Sequence, residues 1–387
     1  MPDGSVVVLR LRHVRCPHYD ADECRSCTLM GLPHERQIVD LRAEVERILS
    51  EHVAEGGWSD PFVGPESAFR NKAKLAVGGT KGDPTFGILD AQQRGVSLPE
   101  CGLYEPLLAS SLDRLVPAVA ELGLTPFDVP ARQGEFKHLI VTGSPDDELM
   151  VRFVLRSPGQ LPRVREGITA LQMAVPGVRV VSVNIQPEHK AVLEGDEEIV
   201  LTEDESLPMR LDGITFHLRP RSFFQTNTVV AAGLYRQARE WVTEMDPSSV
   251  LDLYCGVGGF ALTAALAPGR ARRVEGIEVA PDAVLSARRS AGELDLDVRF
   301  SVGDARVLTE VDHELVVVNP PRRGIGAQLC AAIEAARPAH IIYSSCNATS
   351  LARDLAELPG YRVARARLFD MFPQTRHHEV IVLLERR

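Results

Sequence analysis

Hydrophobic and polar positions divide the chain into two textures. Before residue 220, short apolar runs alternate with tight turns and a few helical periods. Ile38, Leu41, Val45 and Ile48 recur at helical spacing, which predicts an amphipathic helix over His34–His52, ended by Gly56-Gly57. Residues 60–105 read as short strands around Gly78-Gly79 and Gly82-Asp83-Pro84, followed by a helix over Leu107–Leu122. A hairpin of His138–Thr142 and Leu149–Leu155 is predicted across Ser144-Pro145-Asp146-Asp147. A helix at Arg163–Met173 and a strand at Val178–Ile185 follow. Strands at Ile199–Leu201, Met209–Leu211 and Ile214–Leu218 complete an α+β block, the last two turning at Asp212-Gly213.

From Arg221 the pattern becomes helix and apolar strand in alternation. Helices are predicted at Thr228–Met245, Phe260–Leu266 and Pro281–Gly292, the last opened by a proline in its first turn. Strands are predicted at Val250–Leu253, Val274–Val279, Val298–Val302, Leu315–Val318 and His340–Ser345, with Leu368–Phe372 and Val380–Glu385 closing the sheet. Such alternation means a doubly wound, mainly parallel α/β sheet. The predicted organisation is therefore a cysteine-bearing segment and helix (1–59), a central α+β domain (60–205) and a Rossmann-like α/β domain (206–387).

Composition narrows the class. The 387 residues are 44% hydrophobic and 25% charged, as in an ordinary globular protein. The apolar run Val6–Leu9 is too short for a signal peptide or a membrane span, so the expected location is the cytoplasm. Seven cysteines in this length are no disulfide scaffold. A net charge of −10 weighs against a nucleic-acid partner on average, although Arg70, Lys72 and Lys74 form a local basic stretch.

The candidate chemistry lies at four places. Cys16, Cys24 and Cys27 have the spacing C-x7-C-x2-C, and a tetrahedral zinc or an iron–sulfur cluster asks for a fourth ligand. His13, His18, His34 and the distant Cys101 are candidates; spacing alone leaves zinc and iron–sulfur both open. The segment DLYCGVGGF is a strand, a glycine turn and a helix start. It suits an adenosine cofactor, with Glu278 about 20 residues on for the ribose hydroxyls and Asp304 for the adenine amine. The absence of G-x-G-x-x-G spacing counts against NAD. The prolines of NPPRRG remove backbone donors and stiffen a strand-end turn, which presents Asn319. Finally, HIIYSSCN is a buried strand ending in Cys346, at the sheet edge where open α/β folds bind ligands. Alone, such a cysteine reads as an inert core thiol.

Taken in order, FFQTN, DLYCGVGGF, GIEVA, NPPRRG, YSSCN and HHEVIVLLER closely resemble the RNA uracil-C5 methyltransferases, over nearly the whole chain. The cysteine spacing is similar to the 4Fe–4S site of that family's ribosomal branch, which modifies a loop uridine of 23S rRNA; the tRNA branch lacks it. Because the cysteines begin at residue 16, the β-barrel RNA-binding module of the three-domain members is expected to be absent. The resemblance implies cluster ligands Cys16, Cys24, Cys27 and Cys101. It implies S-adenosylmethionine contacts from Gln225, Tyr254, Glu278 and Asn319, a nucleophile in Cys346 and a base in Glu379. Several relatives carry Asp where Asn319 stands. The substrate would be 23S rRNA with its uridine flipped out, with no membrane and no obligate protein partner. Arg322 and Arg323 are candidates for a phosphate or the enolate oxygen; His377 and His378 receive no role. Alternatives are the same reaction on tRNA, an amino-group methyltransferase, and a non-catalytic metal-dependent RNA-binding protein.

Overall fold

The structure, a computed structural model, describes residues 14–98, 100–188, 192–308 and 311–387. The run Val6–Leu9 and the candidate ligand His13 lie outside them. In chain order the first elements are α1 (Pro17–Asp20), α2 (His34–Ile48), β1 (Lys72–Thr80), β2 (Asp83–Leu89), β3 (Gly95–Ser97) and α3 (Pro106–Glu121). Then come β4 (Phe136–Gly143), β5 (Leu149–Leu155), α4 (Leu161–Ala174), β6 (Val178–Ile185) and β7 (Glu197–Val200). The strands form one seven-stranded sheet in the order β3-β2-β1-β4-β5-β6-β7. Only β5 and β6 pair in parallel, because α4 carries the chain back between them. One face is apolar: Leu75, Leu139, Val151, Phe153 and Val183 pack under Leu112 and Leu115 of α3 and Leu171 of α4. On the strand between them Arg152 points the other way, buried and held by Glu194 and Glu198 at 2.9 and 2.7 Å.

The hairpin β8 (Leu207–Leu211) and β9 (Ile214–Leu218) turns as expected at Asp212 and Gly213, both at positive φ. The remaining elements are α5 (Thr228–Met245), β10 (Ser249–Leu253), α6 (Gly259–Ala265), β11 (Arg273–Glu278), α7 (Pro281–Glu293), β12 (Val298–Val302) and β13 (Leu315–Val318). The chain ends with α8 (Gly326–Ala336), β14 (His340–Ser345), α9 (Ala348–Ala356), β15 (Tyr361–Phe369) and β16 (Glu379–Arg386). The second sheet runs β12-β11-β10-β13-β14-β16-β15, parallel except for β16, which is antiparallel to both neighbours. Both faces are covered over the centre of the sheet, so its central strands are apolar on both sides. Val250, Val317 and Ile342 meet α5, α6 and α7; Leu251, Val316 and Tyr343 meet α8 and α9. Strand order reverses between β10 and β13, and a crevice opens there at the carboxyl ends.

Two expectations need correction. The helix from His34 ends at Ile48, not His52, because the chain must leave it to reach the edge of the second sheet. Val53, Trp58 and Phe62 form parallel bridges to Val363, Ala366 and Phe369 of β15, and Leu41 and Val45 of α2 join the core on the α8–α9 side. The strand expected at Leu368–Phe372 is instead Tyr361–Phe369. Its arginines at 362, 365 and 367 broke up the apolar run, and a bulge between Val363 and Arg365 disturbs the alternation. Among the described residues no helix is long and apolar enough to cross a membrane.

Candidate active site

The glycine turn after β10 is built from left-handed backbone: Tyr254 at φ +61°, Gly256 at +54° and Gly258 at +89°. A side chain at Gly258 would strike the ring of Phe300, whereas at Gly256 it would meet nothing within 4 Å. Gly256 thus faces open space where a ligand can touch backbone. Glu278 ends β11 and braces this turn, with Oε2 accepting from Gly256 N and Oε1 from Ala280 N, each at 3.0 Å. Beneath lies Asp252, fully buried. Its Oδ2 accepts from Ala261 N at 2.9 Å and its Oδ1 has no partner among the described residues. Burial pushes the Asp252 carboxyl up to about 8. Asp304 stands at the same crevice, held down to about 2 by its hydrogen bonds with Arg306.

Asn319 follows β13 and begins the proline turn. That turn is fastened at its far end by Asp354 of α9, whose Oδ2 accepts from Ile325 N and from Tyr343 Oη, both at 2.7 Å. Cys346 follows β14 directly. The next residue, Asn347, caps α9 by accepting from Thr349 N at 3.0 Å, and its Nδ2 donates to Arg322 O at 3.3 Å. The two turns bearing Asn319 and Cys346 are therefore tied to each other. Gln225, buried, reaches the crevice from the loop before α5, where Asn71, just ahead of β1, donates from Nδ2 to its carbonyl at 3.0 Å.

Glu379, the first residue of β16, is 2% exposed and accepts from Ser344 Oγ of the adjacent β14. Burial drives its carboxyl up to about 7. The Cys346 thiol is raised by burial and then by the Glu379 charge, while Arg322 opposes both. Gln225, Tyr254, Glu278, Asn319, Cys346 and Glu379 all line one cavity of about 650 Å³. A carboxylate fixed by two N–H groups and open backbone at Gly256 share this cavity with the Cys346 thiol. Of the six, Gln225, Tyr254, Glu278 and Asn319 are the groups that suit the methyl-donor cofactor the motifs imply.

Three parts of this site escaped sequence reasoning. Asp252 looked like one more strand residue. His377 sits on the cavity wall with Nδ1 2.7 Å from Nη2 of Arg322 and its ring edge-on to Phe372. The strap before Glu379 is held from α2. Gln37 Nε2 donates to Gln374 Oε1 at 2.9 Å and Gln37 Oε1 accepts from Gln374 N at 3.1 Å, which secures Gln374 at φ +68°. His34 Nε2 lies 2.6 Å from Asp370 Oδ2. This assigns His34 to the strap, and no signal in the sequence links residues so far apart.

Cys16, Cys24, Cys27 and Cys101 are all reduced and partly buried. The Cys27 thiol is pushed up to about 11, by burial first and then by Cys101, with Cys24 and Cys16 adding to the effect. Chain segments some 75 residues apart thus bring four thiols within electrostatic reach. Among the described residues no three His, Cys, Asp or Glu side chains converge closely enough to hold a metal ion as they stand.

Comparison with known proteins adds independent evidence. The family model described as tRNA (Uracil-5-)-methyltransferase matches residues 285–387. The 23S rRNA (uracil(747)-C(5))-methyltransferase of Halothiobacillus neapolitanus is 45% identical over 383 residues, covering 96% of this chain and all of that one. Its counterpart in Yersinia enterocolitica is 44% identical, covering 96% and 99%. Among solved structures, the Pyrococcus abyssi tRNA (uracil-54, C5)-methyltransferase in complex with S-adenosyl-L-homocysteine is similar with a TM-score of 0.78. The two share 27% identity over 92% of this chain and 85% of that one.

Proposed function

The chain belongs to the RNA (uracil-C5)-methyltransferase family, and from that premise we propose that it methylates C5 of a loop uridine in 23S rRNA through a covalent Cys346 adduct. The observation that carries this reading is the convergence of Cys346 and Glu379 with Gln225, Tyr254, Glu278 and Asn319 on one cavity. The choice of 23S rRNA over tRNA follows the relatives at 44–45% identity, both named for 23S rRNA. The reaction belongs in the cytoplasm, where ribosomal RNA is made.

Bound S-adenosylmethionine would supply an electrophilic methyl group. In the mechanism we assign, Glu278 holds the ribose hydroxyls of that cofactor, and Gln225, Tyr254 and Asn319 frame the rest of it. The uridine leaves its stack and enters between Cys346 and Glu379. Uracil C5 is a weak nucleophile. The Cys346 thiolate adds to C6, the C5=C6 electron pair moves toward the C4 carbonyl, and an enolate forms whose C5 would take the methyl group as its bond to the sulfonium sulfur broke, with S-adenosylhomocysteine as the leaving group. Glu379 then takes the C5 proton, and the ring expels Cys346 as the C5=C6 bond returns. A carboxyl raised to about 7 is well matched to a base that works near neutrality. Arg322, whose charge opposes the rise of the Cys346 thiol, favours the thiolate.

We further assign Cys16, Cys24, Cys27 and Cys101 as ligands of a 4Fe–4S cluster. Four thiols gathered from a loop and a distant turn are the donor chemistry such a cluster takes. Its contribution would be a covalent cross-link between those segments, since methyl transfer has no redox step. In this reading residues 1–59 carry three of the cluster ligands, 60–205 supply Cys101 and bind RNA, and 206–387 hold the cofactor and the reacting base.

The direct test maps 5-methyluridine in 23S rRNA and tRNA from a strain lacking this gene. One 23S site should lose its methyl group, with tRNA unchanged. Loss confined to tRNA would overturn the choice of substrate.

A further inference from the structure

His377 is used by nothing in the mechanism above, yet it stands on the wall of the same cavity. Its Nδ1 lies 2.7 Å from Nη2 of Arg322. A guanidinium only donates, so Nδ1 must be the acceptor and carry no proton. The ring proton is then on Nε2. Partial burial and the positive charges of Arg322 and Arg70 lower the His377 pKa, which favours that neutral form. Nε2 has no partner among the described residues. The ring is held edge-on by Phe372, and its backbone N donates to Thr375 Oγ1 at 3.1 Å. The result is a fixed, neutral N–H donor with an unused hydrogen bond.

Its neighbours say what it could serve. Glu379, two residues on, is the group assigned to the proton on C5. Arg322, which holds the other ring nitrogen, is the cation nearest in effect to Cys346. Addition of the thiolate to C6 forms the S–C6 bond and breaks the C5=C6 π bond, leaving the negative charge on O4. That oxygen hangs on C4, the ring atom next to C5. We propose that His377 is a catalytic hydrogen-bond donor whose Nε2–H stabilises the O4 enolate formed when Cys346 adds to C6. No proton is transferred; the hydrogen bond strengthens as the charge develops and weakens as the thiol leaves. This role rests on the uracil-C5 reading given above.

The test uses the full-length protein, S-adenosylmethionine and an RNA carrying either uridine or 5-fluorouridine at the target. Losing a preorganised donor to a developing oxyanion costs about 10²-fold, so His377→Ala should lower kcat by that order. Affinities for RNA and S-adenosylmethionine should stay within about twofold, because the side chain is exposed at the rim and supports no core. Formation of the 5-fluorouridine adduct should slow in the same proportion. His377→Gln, which offers both an acceptor to Arg322 and an N–H, should recover about tenfold; His377→Glu, which offers only the acceptor, should not. Recovery by Glu equal to that by Gln would overturn the proposal, since His377 would then act only by holding Arg322. Adduct formation by His377→Ala at the wild-type rate would also overturn it, as would a loss explained wholly by RNA affinity. A wild-type protein that forms no adduct would instead refute the uracil-C5 mechanism itself.

Discussion

The chain carries two kinds of thiol site, and they are held in opposite ways. Cys346 stands alone at the end of a central parallel strand, flanked by β13 and β16 and clamped by the Asn347 cap. Cys16, Cys24, Cys27 and Cys101 lie in loops, within electrostatic reach of one another. The first site is placed by a sheet whose core forms without it. The second brings together loops about 75 residues apart in sequence, which the proposed cluster would join. The difference suits the two proposed roles: a nucleophile gains from a rigid frame and a nearby cation, whereas cluster ligands need neighbours and some freedom to close.

The largest effect that could break this comparison is at Cys346. Cys346→Ala should reduce methylation by on the order of 10⁴-fold or more and form no covalent RNA complex. An amino-group methyltransferase would keep its activity. Glu379→Gln should also stop turnover, but after the methyl has moved. Denaturing gels with methyl-labelled cofactor should show a labelled protein–RNA adduct for Glu379→Gln and none for Cys346→Ala.

A smaller change is expected at Glu278. In its proposed role Glu278 would bind two hydroxyls through charge-assisted hydrogen bonds, so its removal should weaken S-adenosylmethionine binding by roughly 10- to 100-fold. Calorimetric titration should find RNA affinity unchanged for Glu278→Ala; equal losses for both ligands would remove it from the cofactor site.

Stability against pH sharpens the account of Glu379. Its folded-state pKa of about 7 lies above the ordinary carboxylate value, so the folded protein holds a proton that the unfolded chain has lost between roughly pH 4.5 and 7. Stability should therefore fall as pH rises through that window. Glu379→Gln removes the penalty. Denaturant titration should find it more stable than wild type by on the order of 3 kcal/mol above pH 7, with no difference below about pH 4.5. The catalytic rate should rise with pH through about 7 as the base ionises.

The smallest effect on chemistry is expected at the loop thiols. Protein purified without oxygen should be brown and carry four irons, and Cys27→Ser should lose iron while keeping kcat within about threefold. Stoichiometric zinc without iron would refute the cluster, and a collapse of kcat to the Cys346→Ala level would erase the distinction between the two sites.

Much of the cofactor half was legible because parallel strands buried on both faces write themselves as apolar runs. Val250–Leu253, Leu315–Val318 and His340–Ser345 each end at a site residue, so motif order alone placed Tyr254, Asn319 and Cys346 along one sheet edge. The edge strand Tyr361–Phe369 was misread because its outward face is arginine-rich. The helix from His34 was recognised by its period, but its partner was not. Amphipathicity says that a face is buried and is silent on what buries it.

The sequence by itself determined the elements, the order of the motifs and the residue types at each strand end, because periodicity and turn chemistry are local. Only the tertiary structure decided that α2 packs on the second sheet and that Gln37 and His34 hold the strap leading to Glu379. It also decided that Glu379 is buried against Ser344 and that Arg322 meets His377. The pairs concerned are separated by 35 to 337 residues. Burial, hydrogen-bond partner and pKa are properties of a surrounding, and a surrounding exists only once distant segments have packed.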